Sequence, residues 1–494
     1  MNSNPIQRRS FLKTAGKSLF AAPAIAAFEP LAEALQPAKA VTHTTPAKPV
    51  FKPTLSLSIR DLGATGDGTT KDTEAIRLTI ERVSLLGGGE VVVPAGEYLT
   101  GAIVLRSNVT LRIEQDATLH GSPDMADYPL SIVHWEGRWI KGYIGFISAM
   151  DSDNIAILGP GKIIASDAIK GRVERPSNRR LPALLEFTNC KNVLVQDCYT
   201  EQTGMWSIHP TFCTDITFKN VIVKSGADGI DADSCHHVVI DGCDFDTRDD
   251  CISLKSGRGE EAASQIGINP RITCEDVLIT YCSFVDHGFA CIGIGSEISG
   301  GIRNARIEKC KFNGARSHAV FIKSRVGRGA FVEDISVTDC DVSGMMQGFL
   351  SITNTNTGKA DEFDVPGDEG ISLFRNFRFT DIRVTDVPHL VEATQIHPLK
   401  PLDGLTLTNI TGTCKKGMTI ANAKNVHLSG IKVTGYEGPL LATKNVTGTG
   451  LTGAVPYEPA AAAQGGSPGL YGGAGTGAKV PDPVPAPATP YKLH

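Results

Sequence analysis

A chain of 494 residues is too long for one small core, so it folds as several domains or as one elongated repeat. Its composition, 41% hydrophobic and 20% charged with a net charge of -5, is globular and argues against a general nucleic-acid binder, which needs a basic surface. Aromatics make up only 6% against 52 glycines, which favours stacked short strands over a helical bundle.

At the N-terminus, Gln7-Arg8-Arg9-Ser10-Phe11-Leu12-Lys13 and the Ala-rich run to Ala27 have the form of a twin-arginine export signal, taken here as residues 1–40. Ala24-Ile25-Ala26 and Ala38-Lys39-Ala40 are its candidate cleavage sites. No later run is long and apolar enough to span a membrane, so a periplasmic or extracellular protein is expected. Residues 41–57 are Thr/Pro/Lys-rich and read as a linker. Asp72 is then a candidate N-cap for a helix to about Leu86, with Ala75, Ile76, Leu78, Thr79, Ile80 and Val83 on its apolar face. Gly87-Gly88-Gly89 stops it, and Glu90–Pro94 reads as a strand. Such a helix would cover the open end of a strand stack.

From there one phrase recurs: a polar residue, alternating apolar positions, then a small or polar pair closed by Cys, Val or Ile. It occurs at Asn108, Asn154, Asn192, Asp215, His237, Asp276, Ala305, Asp334, Phe377, Leu405 and Val426. A base period of about 22 residues with longer gaps marks a solenoid with loop insertions. Strands this short at this period predict an all-β fold, a single right-handed parallel β-helix of roughly ten coils, over 58–452. A propeller blade would need a longer repeat. Cys198, Cys243, Cys282, Cys310 and Cys340 close successive phrases, which predicts a buried thiol stack and leaves disulfides open. The Pro/Ala/Gly-rich tail, 453–494, reads as irregular.

The stretch Gly226–Gly259 carries eight aspartates and ends on Lys255 and Arg258. Asp228 lies one period before the pair Asp249-Asp250, so the three belong to adjacent coils, about 4.8 Å apart. Consecutive side chains of a regular strand face opposite sides, so both members of the pair reach one cleft only at a strand end or bulge. Carboxylates this close raise at least one pKa and keep that group protonated as an acid, while the others activate water. Asp231, Asp241 and Asp244 read as turn-capping residues. Lys255 and Arg258 either bind an anionic substrate or sit in a solvated turn. His236 and His237 open a strand and read as structural.

From about Ser58 to Gly450 the chain resembles glycoside hydrolase family 28, the polygalacturonase family of pectin-cleaving enzymes. The resemblance rests on GATGDGTTKDTEAI, Trp206–Pro210, GIDADSC, DTRDDCISLKSGR and IGIGSEISGGIRN. It implies inverting hydrolysis of α-linked galacturonic acid in a pectic polysaccharide, without metal or organic cofactor. Asp249 would be the general acid, Asp228 and Asp250 would position and deprotonate the water, and Lys323 would bind a substrate carboxylate or hydroxyl. Two positions depart from the family pattern. Its Gly-His-Gly becomes Gly288-Phe289-Ala290, and its Arg-Ile-Lys becomes Phe321-Ile322-Lys323. Phe289 and Phe321 are therefore expected to offer apolar faces, as in the rhamnogalacturonan-acting branch. His287 is a candidate to replace the lost histidine or a solvated loop residue, and Glu297, Trp206 and His209 are candidate cleft-lining residues. The insertions Arg258–Pro270 and Asn354–Gly370 could wall off one end of the cleft. A capped β-helix needs no partner, so a monomer is expected. The rivals are a pectate lyase on the same scaffold and a non-catalytic carbohydrate-binding β-helix.

Overall fold

A computed structural model describes residues 55–459. The export segment, most of the linker and the tail beyond Pro459 lie outside the described residues.

The recurring phrases stack as one parallel sheet. Lys191–Gln196, Thr214–Lys219, His236–Asp241, Cys274–Thr280 and Ile302–Glu308 pair in order, each with the next. The register sets Val193 against Ile216, Ile216 against Val238, Val238 against Val277 and Val277 against Ala305, so the phrase spacing is the coil length. A second sheet runs through Tyr199–Gln202, Ile222–Ser225, Asp244–Thr247 and Ser283–Asp286. A third runs through Ile208–Thr211, Ile230–Asp233, Ile252–Lys255, Ile292–Ile294 and His318–Lys323. The three faces make a right-handed parallel β-helix, the hand that parallel crossovers take.

The polar residue opening each phrase has a specific task. Asn108, Asn154, Asn192, Asp215, His237, Asp276, Asn304, Asp334 and Asn376 all adopt a left-handed backbone, with φ between 55 and 64°. Asn and Asp tolerate this corner better than other side-chain-bearing residues. Their amides then bond coil to coil, with Asn154 donating to Asn108 at 2.9 Å and Asn192 donating to Asn154 at 2.7 Å. His237 belongs to this ladder through Asp215, 3.0 Å away.

Inside, alternate residues stack as ladders. Phe245, Phe284 and Phe312 stack at centroid distances of 5.2 and 5.1 Å. All 12 cysteines are buried free thiols. They include the expected column and a second one, Cys190, Cys213, Cys235 and Cys274, at the turn from the third sheet back to the first. Burial pushes the Cys198 thiol up to about 12, so it stays protonated.

The helix forms at Thr73–Leu85 and buries Ala75, Ile76, Thr79, Ile80 and Val83 over the first coil, leaving Leu78 37% exposed. Asp72 precedes it without capping it. Its carboxylate instead accepts from the backbone N–H groups of Thr65 (2.7 Å) and Gly66 (3.1 Å), pinning the loop before the helix. The solenoid also reaches beyond the expected limits: Ser56–Ser58 pairs with Glu90–Val92, and Val455–Pro456 pairs with Ala442–Thr443.

Four insertions interrupt the coils, over 122–146, 165–184, 256–273 and 354–372. The first two precede strands of the third sheet and the last two follow them. The first contains an antiparallel hairpin, Leu130–Trp135 with Arg138–Tyr143. All four therefore flank one face of the solenoid.

Truncating the aromatic ladder leaves a cavity that coils held in register cannot close. Phe284→Ala is expected to cost about 3–5 kcal/mol, whereas Asn192→Ala should cost about 1 kcal/mol; denaturant midpoints of the two variants test the order.

Candidate active site

Along the third sheet, Ile230, Ala232, Ile252 and Leu254 point into the core, so Asp231, Asp233, Ser253 and Lys255 point out. The outward residues are nevertheless buried. Asp231, Asp233 and Ser253 are 0% exposed and Lys255 is 5% exposed, because the insertions cover this face.

Asp228 and the pair Asp249-Asp250 occupy the turns just before Ile230–Asp233 and Ile252–Lys255, one coil apart. The Gly229 N–H donates to the Asp250 carbonyl at 3.0 Å, which fixes the coils in register there. The pair reaches one side of the sheet because it lies in the turn, where strand alternation does not apply. Ser253 joins the two coils, its hydroxyl 2.9 Å from Asp250 and 3.4 Å from Asp228. Opposite them Gly293 has to be glycine, since a Cβ there would sit 2.3 Å from Asp250 Oδ2.

Three cations compensate the cluster. Lys323 Nζ lies 2.6 Å from Asp250. Lys255 Nζ lies 2.9 Å from Asp231, 3.4 Å from Asp228 and 4.0 Å from both Glu297 and the Trp206 ring centroid. Arg172, from the second insertion, puts a guanidinium nitrogen 2.5 Å from Asp249 Oδ2 and 3.9 Å from Asp228 Oδ1. The carboxyls respond differently. Burial pushes Asp250 up to about 6, against the pull of Lys323. Burial, with Asp249 adding to it, also raises Asp228, and Asp231 is raised well above the ordinary range by burial and by Asp228. Asp249 differs: burial would raise it, but Arg172 outweighs that and holds it below its ordinary value. Of these four carboxyls, Asp228, Asp231 and Asp250 are raised, and the residue expected to act as the acid is the depressed one.

The other expected site residues fall in distinct places. Phe289 is half-buried, its ring 4.3 Å under Lys323 Nζ and stacked at 5.5 Å on Phe321. Phe321 is 1% exposed and offers no face to a sugar; it backs Phe289 and the lysine instead. Glu297 is buried beside Lys255; burial opposes its ionisation, but Lys255 and then Arg328 lower its pKa to about 2. Arg258 is neither solvated nor turned to the cluster: it is 4% exposed and pairs with Asp361 and Glu136. His287 is exposed and pairs with Asp246 at 3.2 Å. Asp231, expected to cap a turn, instead lies on the outer face of the third sheet, 2.9 Å from Lys255 Nζ. Trp206 and His209 are buried beneath the cluster. His209, His134 and Asp233 bring one donor atom each to within 4.8 Å of one another, a set that could hold a metal ion under the rings of Trp139 and Phe212.

Arg172, Ser253 and Glu136 were not singled out from the sequence. The first and last had a signal: the phrase spacings of 46 residues from Asn108 to Asn154 and 38 from Asn154 to Asn192 mark the two insertions that carry them. Ser253 had none, since a strand serine is common.

The family model described as glycosyl hydrolases family 28 matches residues 87–359. A probable polygalacturonase of Vitis vinifera is 26% identical over 376 residues, 72% of this chain and 74% of that protein. The exo-poly-alpha-D-galacturonosidase of Dickeya chrysanthemi is 26% identical over 322 residues, 53% of this chain and 50% of that protein. The exopolygalacturonase of Thermotoga maritima shares the fold with a TM-score of 0.66 at 24% identity, covering 76% of this chain and 92% of its own. The family 28 exopolygalacturonase of Yersinia enterocolitica gives 0.67 at 19% identity, covering 80% and 78%.

Carbon-13 titration of the aspartate carboxyls should find Asp250 with an apparent pKa of about 6. Lys323→Gln should move it upward, because the ammonium is the main group lowering it. An unchanged value would show that Lys323 does not face the carboxylate in solution.

Proposed function

The chain belongs to glycosyl hydrolases family 28, and on that premise we propose that it hydrolyses galacturonan with inversion, working inward from one chain end. The observation that carries the reading is the convergence of Asp228, Asp249 and Asp250 in a covered site, with Ser253 joining Asp228 and Asp250. Asp249, with 29% of its side chain exposed against 5% for Asp228 and 4% for Asp250, faces the cleft and protonates the leaving oxygen. Asp228 and Asp250 hold the water on the opposite face and take its proton, as inverting hydrolysis requires. A carboxyl raised to about 6 is a stronger base than an ordinary aspartate. The cations at the site suit an acidic sugar, and the Vitis and Dickeya relatives bear names of galacturonan-cleaving enzymes.

Attack from a chain end is supported by the wall around the site. Glu136 of the hairpin binds Lys359 at 2.6 Å and faces Arg258 at 3.6 Å, while Arg138 binds Asp361 at 3.0 Å. Asp361 also pairs with Arg258 and Arg328. Three insertions are thereby clasped by largely buried charges, which hold position better than a solvated loop. An apolar subsite for rhamnose has weaker support, because Phe321 is enclosed and Phe289 lies against Lys323. A lyase would need a free base beside the sugar, whereas Lys323 serves as a counterion of Asp250. The protein is read as an exported monomer, since the polymer is met outside the cell and the N-terminal segment has the twin-arginine form.

Mass analysis of products from homogalacturonan and rhamnogalacturonan tests the reading, with Asp249→Asn as the blank. Wild type is expected to release one small saturated product from homogalacturonan from the first minutes, with activity in the variant reduced by about a thousandfold or more. A ladder of mid-sized oligomers would exclude action from the end, unsaturated products would indicate elimination, and cleavage of rhamnogalacturonan alone would change the substrate.

A further inference from the structure

The arrangement around Asp249 is not that of a group about to give up a proton. Its Oδ1 accepts from the Asp250 backbone N–H at 3.2 Å, which leaves Oδ2 to carry the proton. That oxygen is occupied by the Arg172 guanidinium at 2.5 Å. A cationic donor on this oxygen favours the carboxylate over the acid, and the guanidinium stands on the oxygen that has to present the proton. The ion pair has to part before the chemistry.

We propose that Arg172 reads the carboxylate of the substrate and must leave Asp249 to do so, so that an acidic sugar frees the general acid as it binds. The inference rests on the galacturonan reading above. Three observations carry it. First, 36% of the Arg172 side chain is exposed, against 7% for Lys255 and 10% for Lys323, so of the three cations it is the one facing the cleft. Second, position 321, where the resembling family has an arginine, holds a buried phenylalanine, so the guanidinium from the 165–184 insertion is the planar donor available at the cluster. Its contact with Asp249 is through one nitrogen, on Oδ2, whereas a guanidinium can hold a sugar carboxylate in two-pronged geometry. Third, the backbone beneath it is stitched. The Leu181 N–H donates to the Arg172 carbonyl at 3.0 Å, the Glu174 N–H to Arg179 at 2.8 Å, and the Tyr143 hydroxyl to Glu174 at 2.9 Å. The side chain can therefore swing without the loop opening.

Asp249 is faced by Arg172, Lys323 and Lys255 as cations and by Asp228, Asp250 and Asp286 as acids; Arg172 itself is also influenced by Glu136. When Arg172 moves to the sugar, the strongest cation leaves this set and Asp249 takes a proton from solvent. In the reaction the bond from the anomeric carbon to the glycosidic oxygen breaks and one from that carbon to the water oxygen forms. The Asp249 proton goes to the leaving oxygen, and one water proton goes to Asp250.

The test compares wild type, Arg172→Gln and Arg172→Lys on trigalacturonate and its fully methyl-esterified form, with kcat and kcat/KM followed against pH. Arg172→Gln is expected to lose on the order of 10- to 100-fold in kcat/KM on the acid but under about threefold on the ester, with an unfolding midpoint like that of wild type. Arg172→Lys should recover part of the preference for the acid. In wild type the basic limb should lie at higher pH in kcat than in kcat/KM, because only the complex has released Asp249; in Arg172→Gln the two limbs should coincide. Equal losses on acid and ester with unchanged limbs would overturn the inference while leaving the substrate reading in place. Wild type inactive on both would remove the substrate reading and the inference with it.

Discussion

The structure depends first on register. Parallel strands one coil apart are held about 4.8 Å from each other by backbone hydrogen bonds, and a slip of one residue would turn every side chain to the other face. The inward ladders prevent that slip, because Val238 and Ile240 cannot exchange with Val239 and Asp241 without burying a carboxylate in the core. The same constraint stacks Asp228 beside Asp250 and places Ser253 between them. The site is thus a consequence of core packing on the opposite side of the same strands.

Gathering carboxylates without water is costly, and the arrangement offsets the cost with paired cations. Lys255 serves Asp231, Asp228 and Glu297, Lys323 serves Asp250, and Arg172 serves Asp249. The rings of Trp206 and Phe289 lie against the two buried ammonium groups and add a favourable face there. Phenylalanine at 289 and 321 thereby seats a lysine, a role that a change of sugar specificity does not require.

A bare solenoid presents the outer face of its third sheet to solvent. Here four insertions flank that face, two entering its strands and two leaving them. The buried charges Glu136, Arg258, Arg328 and Asp361 tie three of these segments together. The remaining one, 165–184, brings Arg172 to the cluster. Coil geometry positions the carboxylates, and the insertions decide how a polymer approaches them.

Much of this was legible in the amino-acid order. The period of the phrases is the coil, the left-handed corners ask for Asn and Asp, and Asp228 with Asp249-Asp250 one period apart implies adjacency, because local repetition maps directly onto a lattice of fixed spacing. The gaps also announced two of the four insertions, at Arg258–Pro270 and Asn354–Gly370. What these contacts do was not legible. Lys255 and Arg258 look alike in sequence, yet one neutralises the cluster and the other clasps a wall. Phe321 looks like a surface substitution and is enclosed. Arg172 lies 77 residues from Asp249 and carries no motif. A repeat determines neighbours at strand distance; the path of an insertion, and the charge it brings back to the face, is set only when the folded chain closes on itself.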